Sequence, residues 1–378
     1  MKLVIAGVFG VAALLLAVSR PADLVFEKHM LDGGANEACA IADINGDKKP
    51  DIVSGENWYE GPTWKKHHFR DIPFTNSYVD DFSDLPLDVN RDGKVDIITV
   101  SWFSRKIAWY QNPGKDGAPW KETVLSSTSP VEFAFLVDLN NDGKAEELIP
   151  QFGSEKEPLA WWEVRDGAMV KHVASPKSYG HGIGVGDINK DGRNDIITPQ
   201  GWLEAPADPR QENWKLHEGS FPKEPHYSYF YVADVNGDGT NDVVVSHAHD
   251  YGILWFQQMP DGTFKKNVID DSWSQGHAVT FVDLNGDGKK DILTGKRYMA
   301  HNGKDPGEKE PLGIYWYEQI RGDDGKKIEW VRHMIDYGGR AGGGMQIPVA
   351  DLDGDGDLDF AVGGKSGVFV FENKTPKR

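Results

Sequence analysis

One nine-residue pattern recurs seven times along the chain, with carboxylate or amide oxygens at its first, third, fifth and ninth positions. The sixth copy reads Asp283-Leu284-Asn285-Gly286-Asp287-Gly288-Lys289-Lys290-Asp291. The copies begin at Asp43, Asp88, Asp138, Asp187, Asp234, Asp283 and Asp351, at spacings of 45, 50, 49, 47, 49 and 68 residues. A self-similar period of this size matches a four-stranded propeller blade with its connections. A radial repeat also lets 378 residues fold without a second domain, because each blade packs only on its neighbours.

The flanks of the pattern are short β-rich runs, such as Ala278-Val279-Thr280-Phe281-Val282 before the sixth copy and Ile292-Leu293-Thr294 after it. The acidic loop therefore joins the first strand of a blade to the second. A third strand is aromatic, as in Trp58-Tyr59-Glu60 and Trp316-Tyr317-Glu318, and a fourth reads like Val331-Arg332-His333-Met334-Ile335. After the last third strand, Phe369-Val370-Phe371, no fourth follows, but Glu27-Lys28-His29-Met30-Leu31 at the front has its character. The expectation is an all-β, seven-bladed β-propeller over residues 23–378, closed by the N-terminal strand so that no sheet edge is left between first and last blades.

Alternate oxygens on a tightly turning loop converge on one point, as a hard cation such as Ca²⁺ requires when it collects six to eight oxygen ligands. The expected ligands, for up to seven Ca²⁺, are Asp43, Asn45, Asp47 and Asp51; Asp88, Asn90, Asp92 and Asp96; Asp138, Asn140, Asp142 and Glu146; Asp187, Asn189, Asp191 and Asp195; Asp234, Asn236, Asp238 and Asp242; Asp283, Asn285, Asp287 and Asp291; and Asp351, Asp353, Asp355 and Asp359. Gly stands at the sixth position in every copy but the first, which has Lys48, and the third copy ends in Glu146; these two loops are expected to bind more weakly. An EF-hand is excluded, since it would put Glu at position twelve and helices on both flanks.

The net charge of −18 speaks against nucleic acid as a partner. Lys2, the apolar run Leu3–Val18 and then Arg20 and Pro21 follow the order of a secretory signal, so residues 1–22 are expected to be removed and the protein to be secreted or periplasmic, with no stable membrane insertion afterwards. The single cysteine, Cys39, rules out an intramolecular disulfide and reads as a small buried hydrophobe.

The loops, most plainly "DLNGDGKKDIL" and "DLDGDGDLDFAV", resemble FG-GAP or VCBS repeats over about residues 24 to 374. Two longer stretches, "GHAVTFVDLNGDGKKDILTGKRYMAHNG" and "GGRAGGGMQIPVADLDGDGDLDFAVGGKSGVFVFEN", are similar to the propeller domain of the aldos-2-ulose dehydratase family, whose members eliminate water from keto-sugars. That family carries cupin domains after its propeller, and nothing residing in them transfers to this chain. The resemblance implies a carbohydrate lyase or dehydratase acting by β-elimination beside a carbonyl.

The histidines divide by position. His29, His67, His172, His217 and His333 fall at equivalent places on fourth strands and read as structural. His181, His226, His247, His249, His277 and His301 fall outside the repeat, at the ends of strands away from the acidic loops, where groups from several blades meet at a channel mouth. For the implied elimination, His277 or His181 suits the base, Lys296, Arg297 or Arg340 the enolate oxygen, and Tyr298 or Glu132 the leaving hydroxyl. His247 and His249 are candidates for a second metal, a transition metal or Mg²⁺, with His226 or His277 as a third ligand. The insertion from Tyr298 to Leu312 reads as a lid. The alternative is a non-catalytic propeller that binds a glycan or a protein. No Ser-His-Asp, phosphate-loop or dinucleotide signature occurs in a fitting context.

Overall fold

The computed structural model describes residues 23–376 except 116, 223, 225 and 323–326. The expected leader, 1–22, lies outside the described residues. All regular elements described are strands, and among the described residues no helix is long and apolar enough to cross a membrane. The strands form antiparallel meanders arranged as a β-propeller.

Second strands such as Asp96–Val100, Asp242–Ser246 and Asp291–Gly295 are buried along their whole length. Runs of Val and Ile there, with no polar alternation, fit strands covered on both faces. First strands lie innermost and touch one another: Ser83–Leu87 contacts both Ala40–Ala42 and Val131–Val137. Between neighbouring sheets the core is aromatic and aliphatic, with Trp161 among Ile183, Ile196 and Leu203, and Trp316 among Ile347, Phe360 and Phe369.

The expected seven separate blades are not what the described strands form. Five separate four-stranded sheets are present, together with one eight-stranded sheet and a two-stranded ribbon of Phe74–Thr75 and Tyr78–Val79. The eight-stranded sheet arises because Ile183–Gly186 and Tyr229–Ala233, two innermost strands, pair in parallel through Ile183, Gly184 and Val185 opposite Tyr229, Phe230 and Tyr231. Glycine makes this approach feasible: a Cβ on Gly184 would sit 2.2 Å from the Phe230 carbonyl oxygen, and one on Gly186 2.5 Å from Val232 Cβ.

The N-terminal strand Phe26–Asp32 pairs antiparallel with Gly367–Asn373 and completes the last sheet. Phe26 meets Phe360 edge-on, with ring centroids 5.2 Å apart. The fourth-strand histidines also have a structural setting. His67, His217 and His333 stack on Trp58, Trp202 and Trp316 at 4.0, 3.9 and 4.2 Å, and their Nε2 atoms meet Glu60, Glu204 and Glu318.

Candidate functional site

The acidic loops share one geometry. At position six the glycines Gly93, Gly143, Gly192, Gly239, Gly288 and Gly356 have φ between 85° and 95°, and Lys48 adopts φ 69° in the first loop. The first aspartate turns back on the loop, as where Asp283 accepts the N–H groups of Asp287 and Gly288 at 3.0 and 2.9 Å. The ninth residue opens the second strand and is buried: Asp51 accepts Ile44 N–H and Gly61 N–H, each at 2.9 Å, and Asp291 accepts Leu284 N–H and Gln319 N–H at 3.2 and 3.0 Å.

The third loop departs from the expected ligand set. Glu146 lies at the surface and pairs with Arg91, whose Nη2 is 2.5 Å from Oε2. Glu147 takes the buried place, accepting Leu139 N–H at 2.9 Å and opening the strand Glu147–Phe152. The loop is one residue longer, and the longer side chain is carried at the strand start.

These closing carboxyls are electrostatically uncomfortable. Burial raises Asp51 and Asp242 to about 6, and Asp195, Asp291 and Glu147 to about 7; neighbouring loop aspartates add to the rise and backbone N–H donors oppose it. A divalent cation relieves such crowding. In the last loop, oxygens of Asp351, Asp353 and Asp355 all lie within 4.8 Å of one another. The donor set thus fits Ca²⁺.

At the strand ends away from these loops, side chains from different sheets meet around Glu132. Glu132 Oε2 is 2.9 Å from His181 Nε2, and its Oε1 lies 3.5 Å from His249 Nε2, 3.6 Å from His277 Nε2 and 3.3 Å from Arg297 Nη1. The Nε2 atoms of His181 and His249 are 3.2 Å apart. His226 flanks them, with its ring edge-on to both at centroid distances of 5.2 and 4.9 Å. Chain logic explains the meeting: His181 and His277 precede innermost strands, whereas His249 and Arg297 follow second strands, so all reach the same end of the ring.

Burial sets the charges. It would raise the Glu132 carboxyl, but the surrounding imidazoles, His181 first, hold it well below the usual range. Burial, followed by the Arg297 charge, drives His277 well below the ordinary histidine value, and both its ring nitrogens are buried without a hydrogen bond. His226 is lowered to about 4 by burial and by His181 and His249. Burial likewise lowers His249, and it is the neutral imidazole that ligates a metal. Around an ion bound at 2.0–2.1 Å, tetrahedral ligand atoms stand about 3.4 Å apart. The separations here fit a divalent transition metal held by Glu132, His181 and His249, with His277 beside them.

Other expected site residues lie elsewhere. His247 does not share a site with His249: its ring stacks on Tyr227 at 5.1 Å and its Nε2 meets Glu224 at 2.9 Å. Residues 248–250 bend the chain after Ser246, so the two imidazoles lose the common face an extended strand would give them. Lys296 is buried, its Nζ 2.9 Å from Ser274 Oγ and 3.7 Å from Glu310 of the insertion. Tyr298 is exposed, and Arg340 is an exposed donor to the Ser366 carbonyl.

A cavity of about 650 Å³ opens beside the cluster. Glu132 and Arg297 line it, Trp102 and Phe103 give it an aromatic wall, and His301 and Asp305 enter from the insertion. Arg297 is held by Glu37 at 2.9 Å and by Glu132, and its Nη2 is buried without a partner. Asp305 and His301 pair at 2.8 Å. Asp305 escaped the sequence reading because only the insertion as a whole, not any repeat position, marks it.

The FG-GAP-like repeat family matches residues 88–149 and 228–294, which include four of the acidic loops. Integrin alpha-5 of Xenopus laevis is 28% identical over 159 residues, covering 38% of this chain and 15% of that protein. Integrin alpha pat-2 of Caenorhabditis briggsae is 31% identical over 167 residues, covering 36% of this chain and 13% of that protein. The chain thus spans less than a sixth of these curated relatives. Among solved structures, a chain of the "Crystal Structure of Mitotic Checkpoint Complex" aligns over 99% of this chain and 98% of its own length, with a TM-score of 0.52 and 10% identity, a likeness of fold.

Proposed function

We propose that this FG-GAP-repeat propeller is a secreted, Ca²⁺-stabilised carbohydrate lyase that dehydrates a keto-sugar at the Glu132 cluster. In this reading the eight-stranded sheet is two blades joined by their innermost strands, giving seven blades, and each acidic loop holds a Ca²⁺. The observation that carries the catalytic reading is the convergence of His181, His249 and His277 on Glu132 beside an aromatic-walled cavity. The reaction class rests on the resemblance to aldos-2-ulose dehydratases.

Glu132, His181 and His249 would hold the divalent ion, with His277 as a further ligand; when bound, it supplies a Lewis acid for a carbonyl oxygen. The proton acceptor moves from His277 and His181, which face the cluster, to His301, which lines the cavity with its Nδ1 on Asp305. His301 removes the proton beside the carbonyl; the C–H electrons form the new double bond as the β-hydroxyl departs. The same proton returns to that hydroxyl and leaves as water, so no net proton is consumed. The unpartnered Nη2 of Arg297 donates to the oxygen on which charge develops. Trp102 and Phe103 offer apolar faces to a sugar ring.

The full chain, supplied with Ca²⁺ and Zn²⁺ and given keto-sugars such as 1,5-anhydrofructose, should release a conjugated enone seen by ultraviolet absorption. His301→Ala and His181→Ala should each abolish it. The FG-GAP repeats shared with integrin α chains favour a second reading, a module that binds a glycan or protein without turnover. Saturable keto-sugar binding with no enone would select that reading.

A further inference from the structure

We infer that Asp305 is a positioning residue for the His181–His249 metal centre, and that metal binding and docking of the 298–312 insertion are thermodynamically coupled. This rests on the metal-centre reading above and concerns a residue outside the repeat.

His249 is enclosed, its side chain 2% exposed, and its two nitrogens face different partners. Nε2 points to His181 and Glu132, and Nδ1 lies 2.9 Å from Asp305 Oδ2. An imidazole offers one nitrogen lone pair only when its other nitrogen carries the hydrogen. The Asp305 carboxylate accepts that hydrogen from Nδ1, which fixes the tautomer and leaves Nε2 free to ligate. The His301 ring, stacked on His249 at 4.2 Å and also donating to Asp305, steadies the carboxylate.

Asp305 arrives from the insertion, not from the ring. Among the bonds that tie that segment to the ring, Glu310 accepts from Tyr251 Oη at 2.6 Å, Lys365 Nζ donates to the Met299 carbonyl at 2.6 Å, and Asn302 donates to the Asn76 carbonyl at 3.2 Å. Undocking withdraws the acceptor from His249 Nδ1 and frees the wrong tautomer to form. Whatever docking adds to metal affinity, metal binding must add to docking, because the coupling free energy is reciprocal.

The test uses the full chain in Ca²⁺, with Co²⁺ as the probe: its absorption bands and titration report the centre, and amide hydrogen exchange reports residues 299–311. Wild type should bind one Co²⁺ in a manner lost on combining His181→Ala with His249→Ala, and its insertion should exchange more slowly when loaded. Asp305→Asn should weaken Co²⁺ binding by roughly ten- to a hundredfold and remove the slowing, while Asp305→Glu recovers part of both. Glu310→Ala, which removes the acceptor of the Tyr251 hydroxyl, should weaken binding severalfold. If the double variant binds Co²⁺ as wild type does, the metal-centre reading and this inference both fall. If the double variant loses Co²⁺ but Asp305→Asn does not weaken binding, or exchange ignores Co²⁺ in wild type, the coupling is overturned and the metal centre stands.

Discussion

Glu147 Oε2 accepts the Leu139 N–H at 2.9 Å in the third acidic loop, the bond that Asp51 makes to Ile44 at 2.9 Å in the first. The closing carboxylate is therefore set by the start of the second strand rather than by residue count. Glu147→Ala strands a buried N–H and removes a ligand position, at a cost of about 1–3 kcal/mol. Glu146→Ala removes only a surface pair with Arg91, worth about 0–1 kcal/mol. Urea denaturation in Ca²⁺ should separate the two variants; equal losses would contradict the assignment.

The same carboxyls predict opposite pH responses with and without Ca²⁺. Asp195, Asp291 and Glu147 are raised to about 7 and Asp51 and Asp242 to about 6, so the metal-free folded chain holds protons that the unfolded chain releases near pH 4. With more protons bound in the folded state, stability falls as pH rises between about 4 and 7. In chelator, melting temperature should therefore increase from pH 8 to pH 5. In excess Ca²⁺ it should decrease over that range, because protons compete with the ion. A chelated protein with no slope, or melting indifferent to chelator, would refute the loop assignment.

The repeat made the propeller legible, since period, acidic loops and aromatic strands all point to one architecture. The merged sheet was not, because parallel pairing of innermost strands depends on the absence of Cβ atoms at Gly184 and Gly186, a local packing fact. At the site, Glu132, His181, His249, His277 and Arg297 could be marked because they break the repeat at strand ends. His247 misled, since its direction depends on the bend at 248–250. Asp305 was invisible because loop conformation, not periodicity, carries it to His249.

His217 provides the contrast to the cluster histidines. It lies over Trp202 at 3.9 Å with planes 2° apart, and its Nε2 meets Glu204 at 2.8 Å on an outer strand. His217→Ala should cost about 0.5–1.5 kcal/mol, the scale of an aromatic pair, while leaving Co²⁺ binding unchanged. Chemical denaturation and Co²⁺ titration check the two halves; weakened Co²⁺ binding would show that outer strands and the cluster are linked.

Arg70, Asp81 and Asp84 form a buried group that joins two sheets without touching the cavity. Arg70 Nη2 lies 2.9 Å from Asp81 Oδ2 and 2.6 Å from Asp84 Oδ1, and the three side chains are at most 1% exposed. The guanidinium also sits over Phe69 and Tyr110, at 4.9 and 5.2 Å from their centroids. Two acids face one base, and burial, against the pull of Arg70, drives the Asp81 carboxyl well above its usual range while Asp84 adds to the rise. Arg70→Met leaves two carboxyls in an apolar setting and should cost about 3–5 kcal/mol. Adding Asp81→Asn and Asp84→Asn removes the stranded charge and should recover a large share of that loss, since the penalty lies in unpaired ions rather than in missing attraction. A triple variant as unstable as Arg70→Met alone, measured by denaturation in Ca²⁺, would assign the cost to packing of the guanidinium on Phe69 and Tyr110 instead.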